Sequence, residues 1–310
     1  MNHQSANSAA IRTIAVTGAL GNLGSKLFRH LAASDRGYRL LGLDVRSASE
    51  APQQVVPGVD YVTSDLADWH DLRWRNALAG VDALVHFAAQ NPYPEATWHE
   101  AAVSLDMTLN LANAAVEQGV QRLVFATSNH VMGRYKDDPL WSQTAAGELR
   151  PSSPPAVGTV WHTGSQAMDS TAYATAKLMG ERVWRAAALR SAGRTSAVCV
   201  RIGWCQPGEN LPSTLSAAGT PTQATGAATV DAVAWARADR WFKEMWLSNR
   251  DFVQLFERAI LADGGAWPDG YLLVNGMSAN RGMKWSLAET IQGLGYTPQD
   301  DVYGSGVESV

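Results

Sequence analysis

An α/β fold built on a doubly wound parallel sheet is predicted by three features of this 310-residue sequence. Short apolar runs with strand-like composition alternate along the chain with amphipathic helical patterns. Three glycines, Gly18, Gly21 and Gly24, follow the first apolar run and open the first helical pattern. Hydrophobic residues make up 46% of the chain, which is enough to bury a large core. Together these features indicate a sheet of the Rossmann type.

Six apolar runs are predicted to form the strands of the main sheet, at residues 11–17, 39–44, 60–63, 82–87, 121–127 and 196–202. In a sheet of this kind, a ligand lies beyond the carboxyl ends of the strands. The loops that follow Asp44, Phe87, Thr127 and Ile202 therefore form the predicted binding region.

A smaller C-terminal lobe is predicted to cover that region. It takes in a helix at 251–261, a strand at 271–274 and a helix at 287–294. In outline, we predict a disordered start over residues 1–10, a nucleotide-binding domain over 11–202, and a substrate-binding lobe that forms most of 203–310 and is interleaved with the main domain.

Two stretches interrupt the alternation of strands and helices. Residues 137–170 and 206–229 are rich in Pro, Gly, Ser and Thr, which is typical of surface loops. Both follow strand ends on the predicted ligand side. They are interpreted either as a cover over the substrate or as tolerated surface insertions.

The glycine loop is predicted to hold the pyrophosphate of a dinucleotide. Gly18 permits a tight turn, Gly21 allows backbone amides to approach phosphate oxygens, and Gly24 lets the helix pack close to the strand. Leu20, Asn22 and Leu23 complete the loop. The helix N-terminus adds oriented N–H groups and partial positive charge.

Asp44 is the predicted contact for the adenosine ribose. It ends the second strand about twenty residues after the glycines, where a carboxylate can accept hydrogen bonds from both ribose hydroxyls. A carboxylate at this place repels a 2′-phosphate and favours NAD over NADP. Arg46 weakens that preference, because a guanidinium can pair with a phosphate.

Tyr173 and Lys177 form the predicted catalytic pair. They lie four residues apart at the start of a helical run, so their side chains share one helix face. A free tyrosine has a pKa near 10 and is a poor base at neutral pH. A neighbouring ammonium favours the phenolate, which can then remove the proton of a substrate hydroxyl. An ordinary helix N-terminus with an exposed lysine is the alternative.

Ser128 lies just past the strand at 121–127 and is expected to hold the reacting oxygen against Tyr173 by a hydrogen bond. Asn129 and His130 continue the same loop. A structural, hydrogen-bonded role is favoured for His130 over direct acid–base work, because Tyr173 already supplies the base.

Charge and cysteine content limit the classes of partner. The formal net charge of −4 comes without a basic block, which argues against nucleic acid or an anionic membrane as a partner. The chain has no apolar run of roughly twenty residues and no secretion signal at its start. Cys199 and Cys205 are too few for a disulfide framework and are not spaced as a zinc site. A reducing cytoplasm, no metal and a small-molecule substrate are expected.

These residues resemble the extended short-chain dehydrogenases/reductases over nearly the whole chain. The resemblance rests on the three glycines, Asp65-Leu66, the run His86-Phe87-Ala88-Ala89, the Ser128 loop and the Tyr173-x-x-x-Lys177 pair. It implies an enzyme with NAD as cofactor and with Ser128, Tyr173 and Lys177 as catalytic residues. It further implies that Asp65 contacts the adenine, that Lys177 binds the nicotinamide ribose, and that Leu66, Phe87, Ala88, Ala89 and Ile202 line the cofactor. Helices near 97–118 and 173–191 resemble those that form a homodimer in this superfamily.

Within the superfamily, three segments look like signatures of uronate dehydrogenases: residues 127–133, 201–207 and 246–252. That likeness implies oxidation of the anomeric hydroxyl of a sugar acid to an aldonolactone. Asn91, Ser128, Asn129 and His130 would then contact sugar hydroxyls, and Arg201 would bind the substrate carboxylate through two parallel hydrogen bonds. The alternative for Arg201 is an ion pair with an acidic residue of the protein. Trp204, where these enzymes have a small serine, allows a substrate of different shape.

Two other functions stay open on the sequence. An epimerase or dehydratase of nucleotide-linked sugars would keep NAD bound through its cycle, but no basic pocket for a substrate diphosphate is evident. A non-catalytic NAD-binding sensor would bind the cofactor without turnover, yet it has no physical need for the Ser128, Tyr173 and Lys177 set.

Overall fold

A computed structural model describes residues 11–90, 96–162, 167–215 and 231–304. The strands are β1 (Thr13–Thr17), β2 (Arg39–Asp44), β3 (Val59–Thr63), β4 (Ala83–His86), β5 (Arg122–Ser128), β6 (Val160–His162), β7 (Ala167–Asp169), β8 (Ser196–Ile202) and β9 (Tyr271–Gly276). Seven of them form one parallel sheet in the order β3-β2-β1-β4-β5-β8-β9. This arrangement confirms the predicted fold class.

The helices are α1 (Asn22–Ala32), α2 (Leu72–Ala77), α3 (Trp98–Glu117), α4 (Leu140–Gln143), α5 (Thr171–Arg190), α6 (Ala232–Glu244), α7 (Asn249–Leu261) and α8 (Ala288–Leu294). Short 3₁₀ turns occur at Pro52–Gln54, Asn129–Lys136, Pro212–Thr214 and Pro268–Gly270. No helix in these described ranges is long and apolar enough to cross a bilayer.

Two hydrophobic cores cover the two faces of the sheet, as the alternation of side chains along a strand requires. Ile14 and Val16 of β1 face the core that contains α1 and α7 residues, whereas Ala15 between them faces the core that contains α3 and α5 residues. Both faces are therefore buried by helices, which explains why the strands are almost continuously apolar.

The six strands expected in the main sheet are confirmed to within one or two residues at each end. The seventh strand corrects the predicted lobe. The run at 271–274 is part of β9, which pairs in parallel with β8 (Val200 opposite Val274) and so belongs to the main sheet. Helix α7 also packs against the sheet, on α1 and β5. An apolar run reveals a strand but not its pairing partner, which is why the sequence placed this strand in the lobe.

Residues 137–170 are more structured than a loop. They contain α4 and an antiparallel hairpin of β6 and β7, in which Val160 lies opposite Asp169. The second inserted stretch, at 206–229, includes the turn Pro212–Thr214, and the part after residue 215 lies outside the described residues. The homodimer and the limits of a separate lobe stay predictions.

Candidate active site

A cleft at the carboxyl ends of the strands contains two adjoining cavities of about 430 and 750 Å³. The cavities share lining residues from the glycine loop and from the ends of β2 and β4, namely Gly21, Asn22, Leu23, Arg46, Ala89 and Gln90. The smaller cavity extends over the ends of β2 and β3, and the larger one extends over the ends of β5 and β8. The loops after Asp44, Phe87, Thr127 and Ile202 thus border one continuous cleft.

The glycine loop has the geometry that a pyrophosphate requires. Gly18 has a φ of 65°, which favours glycine. A Cβ atom on Gly24 would lie 2.4 Å from the Gly18 carbonyl oxygen, so no larger residue fits there. Gly21 precedes α1 and provides no capping side chain, which leaves the first-turn amides of the helix available to an anion. These features fit a dinucleotide phosphate.

Asp44 is fixed at the end of β2 by two backbone amides. Its Oδ2 accepts from the Leu20 amide at 2.9 Å, and its Oδ1 accepts from the Arg46 amide at 3.0 Å. The carboxylate lines the smaller cavity, where both oxygens retain capacity for ribose hydroxyls. The Arg46 guanidinium donates to the Leu20 carbonyl at 2.6 Å and so lies beside Asp44.

The other residues expected to bind cofactor divide into two groups. Gly18, Asp65, Leu66, Phe87 and Ala88 line the smaller cavity, and Ile202 lines the larger one. Leu20 and Gly24 are buried behind the loop and support it. The sequence reasoning missed Val45, Ser64, Gln90, Val103 and Met107, which complete the smaller cavity. Val45, Ser64 and Gln90 follow strand ends, which was a weak signal, whereas Val103 and Met107 lie on α3, where no sequence signal pointed to them.

Ser128 and Tyr173 meet at the floor of the larger cavity. Ser128 is the last residue of β5, and Tyr173 lies in the first turn of α5. A hydrogen bond joins the two side chains, and burial raises the pKa of Tyr173 to about 12. The His130 amide donates to the Ser128 hydroxyl oxygen at 3.1 Å, which fixes the serine while its own hydrogen stays available to the phenol.

Lys177 lies one helical turn after Tyr173 and is buried. Its Nζ donates to the Ala126 carbonyl at 2.8 Å and lies 4.7 Å from the centre of the Phe125 ring. Burial lowers the pKa of this lysine to about 7. Gly180 allows the close approach of α5 to β5, because a Cβ there would lie 2.7 Å from the Phe125 ring.

His130 is held against the edge of the Tyr173 ring, with 5.9 Å between the ring centres. Its Nδ1 lies 2.6 Å from the Ser170 hydroxyl, and that hydroxyl oxygen accepts from the Thr159 amide at 2.8 Å. The Ser170 hydroxyl also lies 3.5 Å from the Thr159 carbonyl oxygen, so these bonds hold the His130 ring in place and are compatible with either neutral tautomer. Burial lowers the pKa of His130 to about 4, so the ring is neutral at pH 7.

Arg201 requires a correction. The expected clamp for a substrate carboxylate is instead bound to the protein, because its guanidinium makes two hydrogen bonds of 2.9 Å with the Glu181 carboxylate. The remaining guanidinium nitrogen donates to the Pro151 carbonyl at 3.1 Å. Arg201 is only 2% exposed and does not line either cavity. The alternative given by the sequence, a pair with a protein acid, is the arrangement found.

The remaining substrate-side predictions have mixed outcomes. Asn129 and His130 line the larger cavity, and Asn91 lies outside the described residues. Sequence reasoning missed the apolar residues Met168, Phe242 and Met245, which lie on β7 and α6 or just after α6. The rings of Trp204 and Phe242 meet edge to face with centres 5.2 Å apart. Trp241 and Trp246, by contrast, are fully buried core residues.

Comparison with known proteins places the chain in a family. A family model described as the NAD dependent epimerase/dehydratase family matches residues 14–158. An L-arabinose 1-dehydrogenase (NAD(P)(+)) of Haloferax volcanii is 30% identical over 289 residues, which cover 93% of this chain and 96% of that protein. The chain belongs to the NAD dependent epimerase/dehydratase family. Membership confirms the predicted enzyme class, an NAD-dependent dehydrogenase of the extended short-chain type, and the predicted cofactor.

Two uronate dehydrogenases are also similar to this chain over most of their length. A uronate dehydrogenase of Pseudomonas putida is 27% identical over 297 residues, which cover 95% of this chain and 87% of that protein. A solved structure of a mutated uronate dehydrogenase superposes with a TM-score of 0.64 at 23% identity, covering 94% of this chain and 83% of that chain. The superposition supports the fold. The sugars named for the Haloferax and Pseudomonas relatives differ, because a uronate carries a carboxylate and arabinose does not.

Proposed function

We propose that this dehydrogenase oxidises the anomeric hydroxyl of a free sugar with NAD, using Tyr173 as the base. The observation that carries the proposal is the set of buried Ser128 and Lys177 with Tyr173, which lines a cleft that continues into the glycine loop. Relatives of similar length act on arabinose and on uronates, which supports a sugar as the substrate.

The protein groups have separate tasks in this scheme. Ser128 donates a hydrogen bond to the substrate oxygen and holds it beside Tyr173. Tyr173 takes the hydroxyl proton as the carbonyl forms. Burial raises the pKa of this phenol to about 12, so its phenolate requires positive charge beside it to offset the burial. Lys177, one turn away in a dry environment, provides the positive charge that favours the phenolate.

The cofactor contributes the redox chemistry. NAD, when bound along the glycine loop, accepts a hydride from the carbon that carries the hydroxyl. The sugar loses that hydride and a proton, which is a two-electron oxidation to a lactone. Gly18, Gly21, Asp44 and Ala88 are the residues that would hold the dinucleotide.

The other two functions have weaker support. A sensor that only binds NAD gains nothing from a buried lysine whose pKa is shifted to about 7. An epimerase of nucleotide-linked sugars needs cations for a diphosphate, and Arg46 is the one lysine or arginine among the described residues that line the larger cavity.

The test is Tyr173→Phe, assayed by NADH absorbance with NAD and a panel of L-arabinose, D-galactose, D-glucose, D-galacturonate and D-glucuronate. The wild-type protein is expected to turn over at least one sugar, and the variant is expected to lose about 10²- to 10⁴-fold in kcat. Its affinity for NAD should change little. Tyr303→Phe, at a tyrosine outside both cavities, is the matched control.

Either of two results would contradict the proposal. One is no reduction of NAD with any sugar of the panel although the protein binds NAD. The other is a Tyr173→Phe variant that retains wild-type turnover.

A further inference from the structure

The larger cavity contains almost no charge. Of the residues that line it, Arg46 is the one with a charged side chain in the described part of the chain. Arg46 also lines the smaller cavity, and its guanidinium donates to the Leu20 carbonyl at 2.6 Å beside Asp44. This cation therefore belongs to the cofactor half of the cleft.

Three further cations lie close to the cavity, and each is already bound to protein. The Lys26 Nζ donates to the Gln206 carbonyl at 2.6 Å and to the Asn249 side-chain oxygen at 2.7 Å. Lys177 donates to the Ala126 carbonyl, and Arg201 is paired with Glu181. His130 also lines the cavity, and it is neutral at pH 7 because burial lowers its pKa to about 4. Among the described residues, Arg46 at the cofactor end is thus the one lysine or arginine of the cavity lining that a substrate carboxylate or phosphate can meet.

The internal segments outside the described residues, 91–95, 163–166 and 216–230, contain no lysine, arginine or histidine. An anionic group that enters this cavity away from Arg46 would lose hydration without gaining a charge partner among the described side chains, which opposes its binding.

The polar groups that line the cavity suit hydroxyls. Asn129 is 5% exposed and donates through Nδ2 to the Ile202 carbonyl at 3.0 Å, which fixes its amide orientation. Its Oδ1 has no hydrogen-bond partner among the described residues. A buried acceptor without a partner is unfavourable until a donor arrives. His130, on the same loop, adds a neutral ring to the cavity lining.

Several other lining residues are apolar. Trp204 and Phe242 present aromatic rings to the cavity, and Met168 and Met245 line it beside them. An aromatic face packs well against the C–H face of a sugar ring and offers nothing to an ionised group. The cavity therefore combines hydroxyl-binding groups with an apolar surface.

We propose that the substrate is an uncharged monosaccharide, a neutral aldose, and not a uronic acid or a sugar phosphate. The inference rests on the proposed function and names the substrate class of the same site. In the reaction the C–H and O–H bonds at the anomeric carbon break and a C=O bond forms. The hydride carries its electron pair to NAD, and the proton goes to Tyr173 and then to solvent.

The test uses two matched pairs of sugars, D-galactose with D-galacturonate and D-glucose with D-glucuronate. The members of each pair share all their ring stereochemistry and differ only in CH₂OH against carboxylate. We expect kcat/KM for the neutral member of the accepted pair to exceed that of the acid by about 30-fold or more. Calorimetry on Tyr173→Phe saturated with NAD measures sugar binding without turnover and should show the same order.

Arg46→Gln controls for the one lining cation. The variant is expected to change kcat/KM for the neutral and the acidic sugar by the same factor. A loss confined to the acid would make Arg46 a carboxylate clamp and overturn the inference.

The remaining outcomes separate this inference from the proposed function. Equal or better binding and turnover of the uronic acid overturns the neutral-substrate inference and leaves sugar oxidation standing. No turnover of the four sugars or of L-arabinose, with NAD still bound, removes the proposed function and the inference with it.

Discussion

Two buried cations, Lys177 and Arg201, lie on neighbouring elements behind the larger cavity and have opposite surroundings. Arg201 on β8 faces the Glu181 carboxylate with two hydrogen bonds of 2.9 Å. Lys177 on α5 has a carbonyl oxygen at 2.8 Å and the faces of Phe125 and Tyr173. Both side chains are at least 95% buried.

The difference separates a structural cation from a reactive one. A carboxylate partner compensates most of the desolvation of the arginine, so its charge is kept and its geometry is fixed. A carbonyl and two aromatic rings compensate much less, and burial lowers the pKa of Lys177 to about 7. The lysine is therefore the cation whose charge can respond to Tyr173, and it is the one beside the cavity.

Removal of the charge on Glu181 should have the largest effect on stability. In Glu181→Gln the guanidinium of Arg201 stays buried without a countercharge, and we expect the free energy of unfolding to fall by about 3–5 kcal/mol. Urea denaturation followed by circular dichroism measures it. The double variant Glu181→Leu with Arg201→Met removes both charges and should recover a large part of the loss. If Glu181→Gln is as stable as the wild type, the ion pair contributes nothing to stability. Arg201 and Lys177 would then not differ in how their burial is compensated.

Lys177→Met should act in the opposite direction. Because burial disfavours the ammonium, its removal is expected to raise the free energy of unfolding of the cofactor-free protein at pH 7 by about 1–3 kcal/mol. The same variant should lose turnover, since the phenolate of Tyr173 then lacks its neighbouring charge. A gain in stability together with a loss of activity is expected because the buried ammonium of Lys177 destabilises the fold but is needed for turnover.

The pH dependence of the free energy of unfolding tests the sign of this Lys177 effect independently. The pKa of Lys177 is lowered from 10.5 to about 7, so between these values the unfolded chain binds a proton that the folded chain lacks. The stability of the wild type, relative to Lys177→Met, should therefore rise with pH from about 7 towards 10, by at most about 1.4 kcal/mol per pH unit. Lys177→Arg, which keeps its charge, should be less stable than the wild type in the upper part of this range. Identical pH profiles for the wild type and Lys177→Met would contradict the assigned pKa.

The comparison of Lys177 with Arg201 also shows which features of the site could be predicted from the sequence. The glycine loop and the Tyr173–Lys177 pair were found because each lies within one strand–turn–helix unit or on one helix face, where spacing fixes geometry. Glu181 continues that face four residues after Lys177, but the sequence analysis did not single it out. Arg201 was named with a protein acid as one possible partner, and which acid it meets could not be predicted, because an ion pair between distant segments depends on tertiary packing.

Dependence on tertiary packing also explains the other differences between the predicted and the observed structure. The strands were predictable from apolar runs, but the pairing of β9 with β8 depends on where the chain returns after α7. The apolar wall of the larger cavity comes from β7 and the α6 region, which flank segments of loop-like composition. Their cavity-facing side chains have no local signature.

The smallest expected effect concerns the third hydrogen bond to Glu181. The Thr127 hydroxyl donates to Oε1 of Glu181 at 2.9 Å, on the side of the carboxylate that faces β5. Thr127→Val keeps the shape of the side chain and removes only this donor, so the free energy of unfolding should fall by about 1 kcal/mol. Thr127→Ser, which keeps the hydroxyl, is the matched control and should retain most of that energy.

The turnover of Thr127→Val tests whether the Glu181–Arg201 pair is independent of Lys177. If Glu181 and Arg201 serve the fold alone, Thr127→Val should leave the KM for sugar and the pH dependence of kcat unchanged at a temperature where the protein stays folded. A shift in the pH profile would instead mean that the Glu181 carboxylate is felt by Lys177, one helical turn away, and that the two buried cations are coupled. The separation of a structural charge from a reactive one would then have to be replaced by a single network that runs from Arg201 to Tyr173.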